Sequence, residues 1–193
     1  TGTILVFIDD DELPKNFNWL KIMTEQIIKN KKIVVTSGVD IKLNQGYLID
    51  SISLLGFPGG GAIGFKTMWN VDEHSYTNHL CSGNFAISKN LINQLGGFDN
   101  SLKSGGEDVD LADKLIALNT PVKYVGEGTV YHSARKGFLK FVKWNFLRGE
   151  SVADYLRNKK LDNKFSKRIN SSKKVLIKTF KTKYFPGVIF MMF

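Results

Sequence analysis

The stretch ILVFIDDD, residues 4–11, decides how this chain is read. Five apolar residues of mostly β type, Ile4 to Ile8, run without a break into three carboxylates, Asp9, Asp10 and Asp11. An unbroken apolar run of this length fits a strand covered on both faces, as in a parallel sheet flanked by helices. The carboxylates then fall at the strand's carboxyl end, where open α/β sheets bind their ligands. Three adjacent negative charges repel one another. Two arrangements accommodate them: a solvated acidic turn, or a site for an oxygen-seeking divalent cation.

Downstream, Pro14 suits a turn or a first helical position. Trp19, Leu20, Met23, Ile27 and Ile28 recur at helical spacing and predict an amphipathic helix over roughly 16–30. Ile33 to Ser37 form a second short apolar strand stopped by Gly38. Strand, helix and strand in this order predict a βαβ unit with a parallel pair.

Tyr47 to Leu55 fits either a strand or a helix. The following GFPGGGAIGF, residues 56–65, places Gly59, Gly61 and Gly64 in GxGxxG spacing. No clear strand feeds it and no good helix follows, so it reads as a mobile surface loop, not a dinucleotide loop. CSGNFAISKN, residues 81–90, reads as a glycine turn feeding a strand. A helix from about 88 to 95 follows, with Ser88 as N-cap and Gly96-Gly97 as its stop. GGEDVDLADKLIALN, residues 105–119, carries a helical stripe of Leu111, Leu115, Ile116 and Leu118. Glu107 and Asp108 sit in its first turn, where the helix dipole favours carboxylates. Val122–Val125 and Thr129–His132 are short β-type runs.

Composition sets limits. A chain of 193 residues with 42% hydrophobic content is long enough for one domain with a real core. Its single cysteine, Cys81, excludes an internal disulfide and suits a reducing compartment. Residues 1–132 hold 11 Lys+Arg against 15 Asp+Glu, a net of −4, while residues 133–193 hold 16 against 3, a net of +13. Such a basic tail meets nucleic acid, anionic lipid or only solvent. Within it, Phe138 to Tyr155 reads as an amphipathic helix with a cationic face. The closing PGVIFMMF is too short to span a bilayer, which needs about 20 residues. It is expected to begin a segment that continues beyond residue 193.

Three segments in order, VFIDDDELP, SGNFAISKNLINQLGGFD and GGEDVDLADKLIALNTPVKYVGEGTVYH, resemble the second half of a family-2 glycosyltransferase domain of GT-A fold. The resemblance covers roughly residues 4–132, and the ordered set of GGFD, GEDVDL and a terminal YH carries most of its specificity. It implies an α/β fold: a mixed, mostly parallel, Rossmann-like sheet flanked by helices, incomplete at the N-terminus. The GT-A part would cover 1–135 and a basic helical extension 136–193. The implied activity is inverting sugar transfer, of hexosyltransferase type, from a nucleotide-sugar donor to an alcohol acceptor. By the same resemblance, Asp11 with help from Asp9 holds Mn2+ or Mg2+ against the donor diphosphate, and Asp10 lies near the ribose or sugar. Asp108, beside the substrate-binding Glu107, is the catalytic base. His132 lies near the metal, and Gly83 and Asn84 near the donor sugar or acceptor.

The chemistry needs these residue types whatever the family. Charge builds on the leaving diphosphate, and a carboxylate-bound divalent ion neutralises it as a Lewis acid. Such ions commonly keep one or two carboxylates, with phosphate and water completing the shell. The acceptor hydroxyl must lose its proton, and a carboxylate acting as general base typically contributes ~10²- to 10⁴-fold.

The sequence departs from the family in two ways. The strand–turn–helix unit that grips the nucleotide base, and the strand and helix after it, do not precede ILVFIDDD. The chain starts at Thr1-Gly2-Thr3 with no initiator Met or signal peptide, and is expected to be a piece of a longer protein. The QxxRW motif of processive sugar polymerases is replaced by Trp144-Asn145-Phe146-Leu147-Arg148-Gly149, which implies single addition. A UDP-sugar donor, a glycan or lipid-linked acceptor, and a role in surface polysaccharide or glycolipid synthesis are the expectations. The basic tail adds an anionic membrane surface as partner, at the cytoplasmic face of the plasma membrane, with no nucleic acid.

Two other readings compete. A haloacid-dehalogenase-like phosphatase also places DxD after an apolar strand, but wants Thr or Val where Leu13 stands and gives GEDVDL no role. A non-catalytic module binding nucleic acid or lipid uses the tail, whose aromatics could stack bases, yet leaves both acidic clusters unexplained. The missing front half yields a direct expectation: the isolated chain binds nucleotide-sugar poorly or not at all in a calorimetric titration, and full affinity would contradict it.

Overall fold

The computed structural model describes residues 2–56, 59–102, 105–134, 136–158 and 164–192. In chain order the strands are β1 (Ile4–Ile8), β2 (Glu12–Pro14), β3 (Val34–Thr36), β4 (Val39–Asp40), β5 (Tyr76–Thr77), β6 (Asn84–Ser88), β7 (Val122–Tyr124) and β8 (Val130–His132). The helices are α1 (Trp19–Lys29), α2 (Tyr47–Ser53), α3 (Phe65–Met68), α4 (Lys89–Gln94), α5 (Glu107–Ala117), α6 (Phe138–Asn158), α7 (Lys164–Thr179) and α8 (Phe185–Met192).

All five residues of β6 are buried, and this strand organises the main sheet, whose order is β1-β6-β3-β7-β5. Alternation along the strands divides the core in two. Leu5, Phe7, Val34, Phe85 and Ile87 point to one face, where Leu91 and Ile92 of α4 and Leu111 and Leu115 of α5 cover them. Ile4, Val6, Val35 and Ala86 point to the other, against Met23 and Ile27 of α1. A smaller sheet, β2-β8-β4, stands beside the first.

The expected α/β class with helices flanking a mixed sheet is present, but its pairing differs from the expectation of a mostly parallel sheet. Among the described residues, four of the six strand pairings are antiparallel. The predicted βαβ pair needs the same correction. β1 and β3 run in the same direction but are not neighbours, because β6 lies between them, antiparallel to both. β6, buried along its whole length, takes an interior place between β1 and β3. β1 is left at the sheet's edge with Ile4 to Phe7 half-buried.

Tyr47–Ser53 resolves as helix, and the glycine-rich segment is not a surface loop. Gly60, Gly61, Ile63 and Phe65 are buried, with a 3-10 turn over Gly61–Ile63 followed by α3. Its glycines answer to packing: a Cβ on Gly59 would stand 2.7 Å from both Cys81 Sγ and Val39 Cγ2. Phe57 and Pro58 of that segment lie outside the described residues, as do Lys159 and Lys160 of the basic tail and Arg135 at the expected domain boundary. Ser88 caps α4 as expected, accepting from Leu91 N–H, and Gly96 and Gly97 end it with φ of 78° and 70°.

The C-terminal helices are docked on α2 and α3. Phe141, Val175, Tyr184, Val188 and Met191 share one apolar cluster with Ile52, Leu54, Leu55, Ile63 and Met68. Tyr184 donates to Asp50 Oδ2 at 2.9 Å, and Gly187 N–H donates to Tyr47 Oη at 2.9 Å. The terminal apolar run is therefore in part a core element. Among the described residues no helix is long and apolar enough to cross a membrane.

Candidate active site

Two strand registers assemble the acidic turn. Ile8, the last residue of β1, pairs with Asn84, the first of β6, so Asp9 beyond one strand abuts Gly83 before the other. A Cβ on Gly83 would lie 2.6 Å from Asp9 Oδ2 and 2.7 Å from Glu12 Oε1. The turn closes on itself: Glu12 N–H donates to the Asp9 carbonyl at 3.1 Å, and Asp9 N–H donates to Glu12 Oε2 at 3.3 Å. Glu12 then opens β2, where it pairs with His132 of β8. That second register delivers the histidine, whose Nε2 lies 3.1 Å from Asp11 Oδ2.

Burial, reinforced by the neighbouring Asp11, raises the Asp9 carboxyl above its ordinary range, while His132 pulls the other way. Asp9 is exposed as a residue, but its carboxyl tip is turned inward against Gly83. Glu12 is only 6% exposed, and burial pushes its carboxyl up to about 8, with Asp9 and Asp11 adding to the effect. Both nitrogens of His132 face oxygens. Nδ1 faces the Ser133 carbonyl and so carries the proton there, while Nε2 faces the Asp11 carboxylate. Carboxylate oxygen with imidazole nitrogen is a donor set that suits Mn2+ and related ions. Among the described residues no three such side chains converge into a complete metal shell. Asp11 and His132 could hold part of one, with substrate phosphate and water as the remaining ligands. Asp10 points outward and is exposed.

The second acidic cluster begins α5. Gly106, with φ of 94°, turns the chain into the helix, and Glu107 and Asp108 form its first turn. Burial, with the neighbouring Glu107 charge, pushes the Asp108 carboxyl up to about 6, and Arg148 of α6 opposes the rise. The two clusters share an electrostatic neighbourhood. Glu107 acts on Asp9, and the buried Cys81 thiol is held up by burial and then by Glu12, Asp108 and Asp9.

Asn84 and Gly83 are placed differently from the expectation. Asn84 is fully buried and its amide is spent inside the fold. Nδ2 donates to the carbonyls of Gly38 at 2.9 Å and Gly128 at 2.8 Å, and Oδ1 accepts from Trp19 Nε1 at 3.2 Å. It ties both sheets and α1 together behind the site. Gly83 is buried against Asp9 and Glu12, so it shapes the turn. Two residues at the site were not foreseen, Glu12 and Arg148. The Asp9-x-x-Glu12 spacing is the available signal for Glu12, being that of a reciprocal side-chain and backbone box. Arg148 comes to Asp108 by the docking of α6, for which no local sequence signal exists.

No protein-family model matches this chain, and no curated protein matches it. Solved structures do. A crystal structure of GalNAc-T7 with UDP, GalNAc and Mn2+ superposes with a TM-score of 0.51 at 16% identity. The match covers 76% of this chain and 31% of that chain, so this chain spans about a third of the enzyme it resembles. The fold is that of a GT-A-like glycosyltransferase.

The placement of Asn84 generates a test that separates scaffold from substrate contact. Replacing it by Leu leaves the Gly128 carbonyl and the Trp19 indole N–H without this partner, at about 1–3 kcal/mol each, while the Gly38 carbonyl keeps its bond from Val130 N–H at 3.2 Å. Urea unfolding of Asn84→Leu should show a loss of at least ~2 kcal/mol. An unchanged midpoint would return Asn84 to the ligand side of the cleft.

Proposed function

We propose that this chain carries the metal and base side of a glycosyltransferase site. It moves a sugar, a hexose by this reading, from a UDP-sugar to an alcohol acceptor with inversion and single addition, in surface polysaccharide or glycolipid synthesis. The observation that supports this most is that two acidic clusters far apart in sequence act on one another electrostatically, Glu107 on Asp9, on a GT-A-like fold. Asp11 and His132, with Asp9 behind them, would hold Mn2+ or Mg2+. Such an ion would supply Lewis-acid neutralisation of the leaving diphosphate.

The remaining work falls to the protein's own side chains. Ionised Asp108 takes the acceptor hydroxyl proton as general base. Burial of its carboxyl raises it to about 6, a better-matched base than an ordinary aspartate. Glu107 strengthens that basicity by repulsion, and Arg148 limits it, so the base stays ionised near neutral pH. Asp10, exposed beside the metal turn, is free to reach a ribose or sugar hydroxyl.

Because Asp108 must be ionised to accept the proton, activity falls as pH drops below its carboxyl's range. UDP release from a panel of UDP-sugars, measured with any coding sequence that precedes the chain restored, should show an acid limb near 6. Asp108→Asn should lose at least ~100-fold, the general-base share. Arg148→Gln should move the limb upward. A profile flat down to pH 5, or a fully active Asp108→Asn, contradicts the assignment.

The same reading places the protein peripherally on the inner face of the plasma membrane. α6 supports this because it has two different faces. Phe141 is buried, while Leu139, Val142 and Phe146 point outward at 81%, 46% and 68% exposure, flanked by Lys140 and Lys143. Exposed Phe190 of α8 stacks on Phe138 and extends the apolar surface. Each Lys or Arg near an anionic surface contributes about 1 kcal/mol. The chain should co-sediment with phosphatidylglycerol vesicles and not with phosphatidylcholine vesicles, and Leu139→Ser with Phe146→Ser should release it. Binding that ignores lipid charge, or survives both changes, would refute the docking face.

A further inference from the structure

Glu12 stands out once the site is assembled. It is 6% exposed, yet only one of its carboxylate oxygens has a partner. Oε2 accepts from Asp9 N–H at 3.3 Å, and Oε1 is buried without a hydrogen bond. The unpartnered oxygen lies over Gly83, where the inward oxygen of Asp9 also lies, at 2.7 and 2.6 Å from the position of an added Cβ. A buried carboxyl group with an unpaired oxygen is expensive to maintain. A leucine or methionine would fill the same space without that cost, so packing alone does not account for a glutamate.

We propose that Glu12 and Gly83 are positioning residues for Asp9. Glu12 clamps the Asp9 backbone from below, and Gly83 leaves vacant the volume into which both carboxylates turn. The clamp has two parts, the Glu12 N–H to Asp9 carbonyl bond at 3.1 Å and the return bond from Asp9 N–H to Oε2. Together they fix the backbone on both sides of Asp10 and Asp11, and so the direction in which Asp11 meets His132. Neither residue contacts substrate. Both act through the orientation of Asp9 and Asp11, as groups behind metal ligands commonly do. This rests on the metal reading of the acidic turn.

The test is Mn2+ uptake by the chain, read from loss of the free-ion electron paramagnetic resonance signal, beside urea unfolding of each variant. Glu12→Ala should weaken Mn2+ binding by ~10- to 100-fold, the usual range for such supporting groups. Glu12→Gln should restore it to within about threefold, because its amide oxygen still accepts from Asp9 N–H and its NH2 donates toward Asp9. Gly83→Ala probes the same cradle from the opposite strand and should weaken binding as Glu12→Ala does, so the idea stays exposed if Glu12→Ala misfolds. Wild-type affinity in either alanine variant overturns the proposal, and so does a Gln variant as weak as Ala. If the wild-type chain takes up no Mn2+, the metal reading itself fails. The clamp is then judged by amide exchange, where Asp9 N–H must exchange faster in Glu12→Ala than in wild type, and equal rates overturn it.

Discussion

The antiparallel register of β1 on β6 is the constraint from which the site follows. With Ile8 opposite Asn84, the residue leaving one strand has to meet the residue entering the next, and these are Asp9 and Gly83. No side chain stands at Gly83, so carboxylates fold inward over it and the turn closes between Asp9 and Glu12. The closed turn then launches β2, whose pairing with β8 brings His132 alongside Asp11. A slip of one residue in either pairing would turn these side chains to the wrong face. Asn84 guards against such a slip by binding carbonyls on both sides of the sheet junction.

Carboxyls gathered in this way repel each other. Asp9, Glu12 and Asp108 are all raised above their ordinary ranges, each chiefly by burial. A region where several acids hold their protons tightly is one that favours incoming positive charge, and perturbed acids in one cleft commonly mark a functional site. The arrangement also divides labour. The first cluster, on a strand end and turn, is anchored by backbone bonds and by His132. The second, on a helix N-terminus, is tuned by Arg148 from a different part of the chain. Docking of α6, α7 and α8 on α2 thus carries a cation from the basic segment up to the base.

Local features of this fold are legible in the sequence because local forces set them. The apolar run of β1, the helical stripes of α1 and α5, the Ser88 cap and the Gly96-Gly97 stop all stand where their patterns place them. What the sequence hides is relational. Nothing in ILVFIDDD says that its neighbour is β6, some 80 residues on, in place of β3. With no clear strand before it and no good helix after it, the glycine-rich segment reads as a mobile loop, while Gly59 in fact answers to close contact with Val39 and Cys81 from distant segments. Asn84 reads as a polar residue at a strand start, and only three-dimensional neighbours reveal that its amide is consumed. Asp11 is recognisable as an acidic group in sequence, but its partner His132 comes to it only through the pairing of β2 with β8.

The central claim is that Asp11, His132 and Asp108 surround one ion and the sugar it helps release. Crystals of the protein with any preceding coding sequence restored, soaked with Mn2+ and UDP and measured at the manganese edge, test it most directly. The account predicts an anomalous peak in coordinating contact with Asp11 and His132 Nε2, with the diphosphate on the ion and Asp108 facing it across the cleft. A peak elsewhere on the molecule, or well-ordered UDP with no manganese at Asp11, would contradict it.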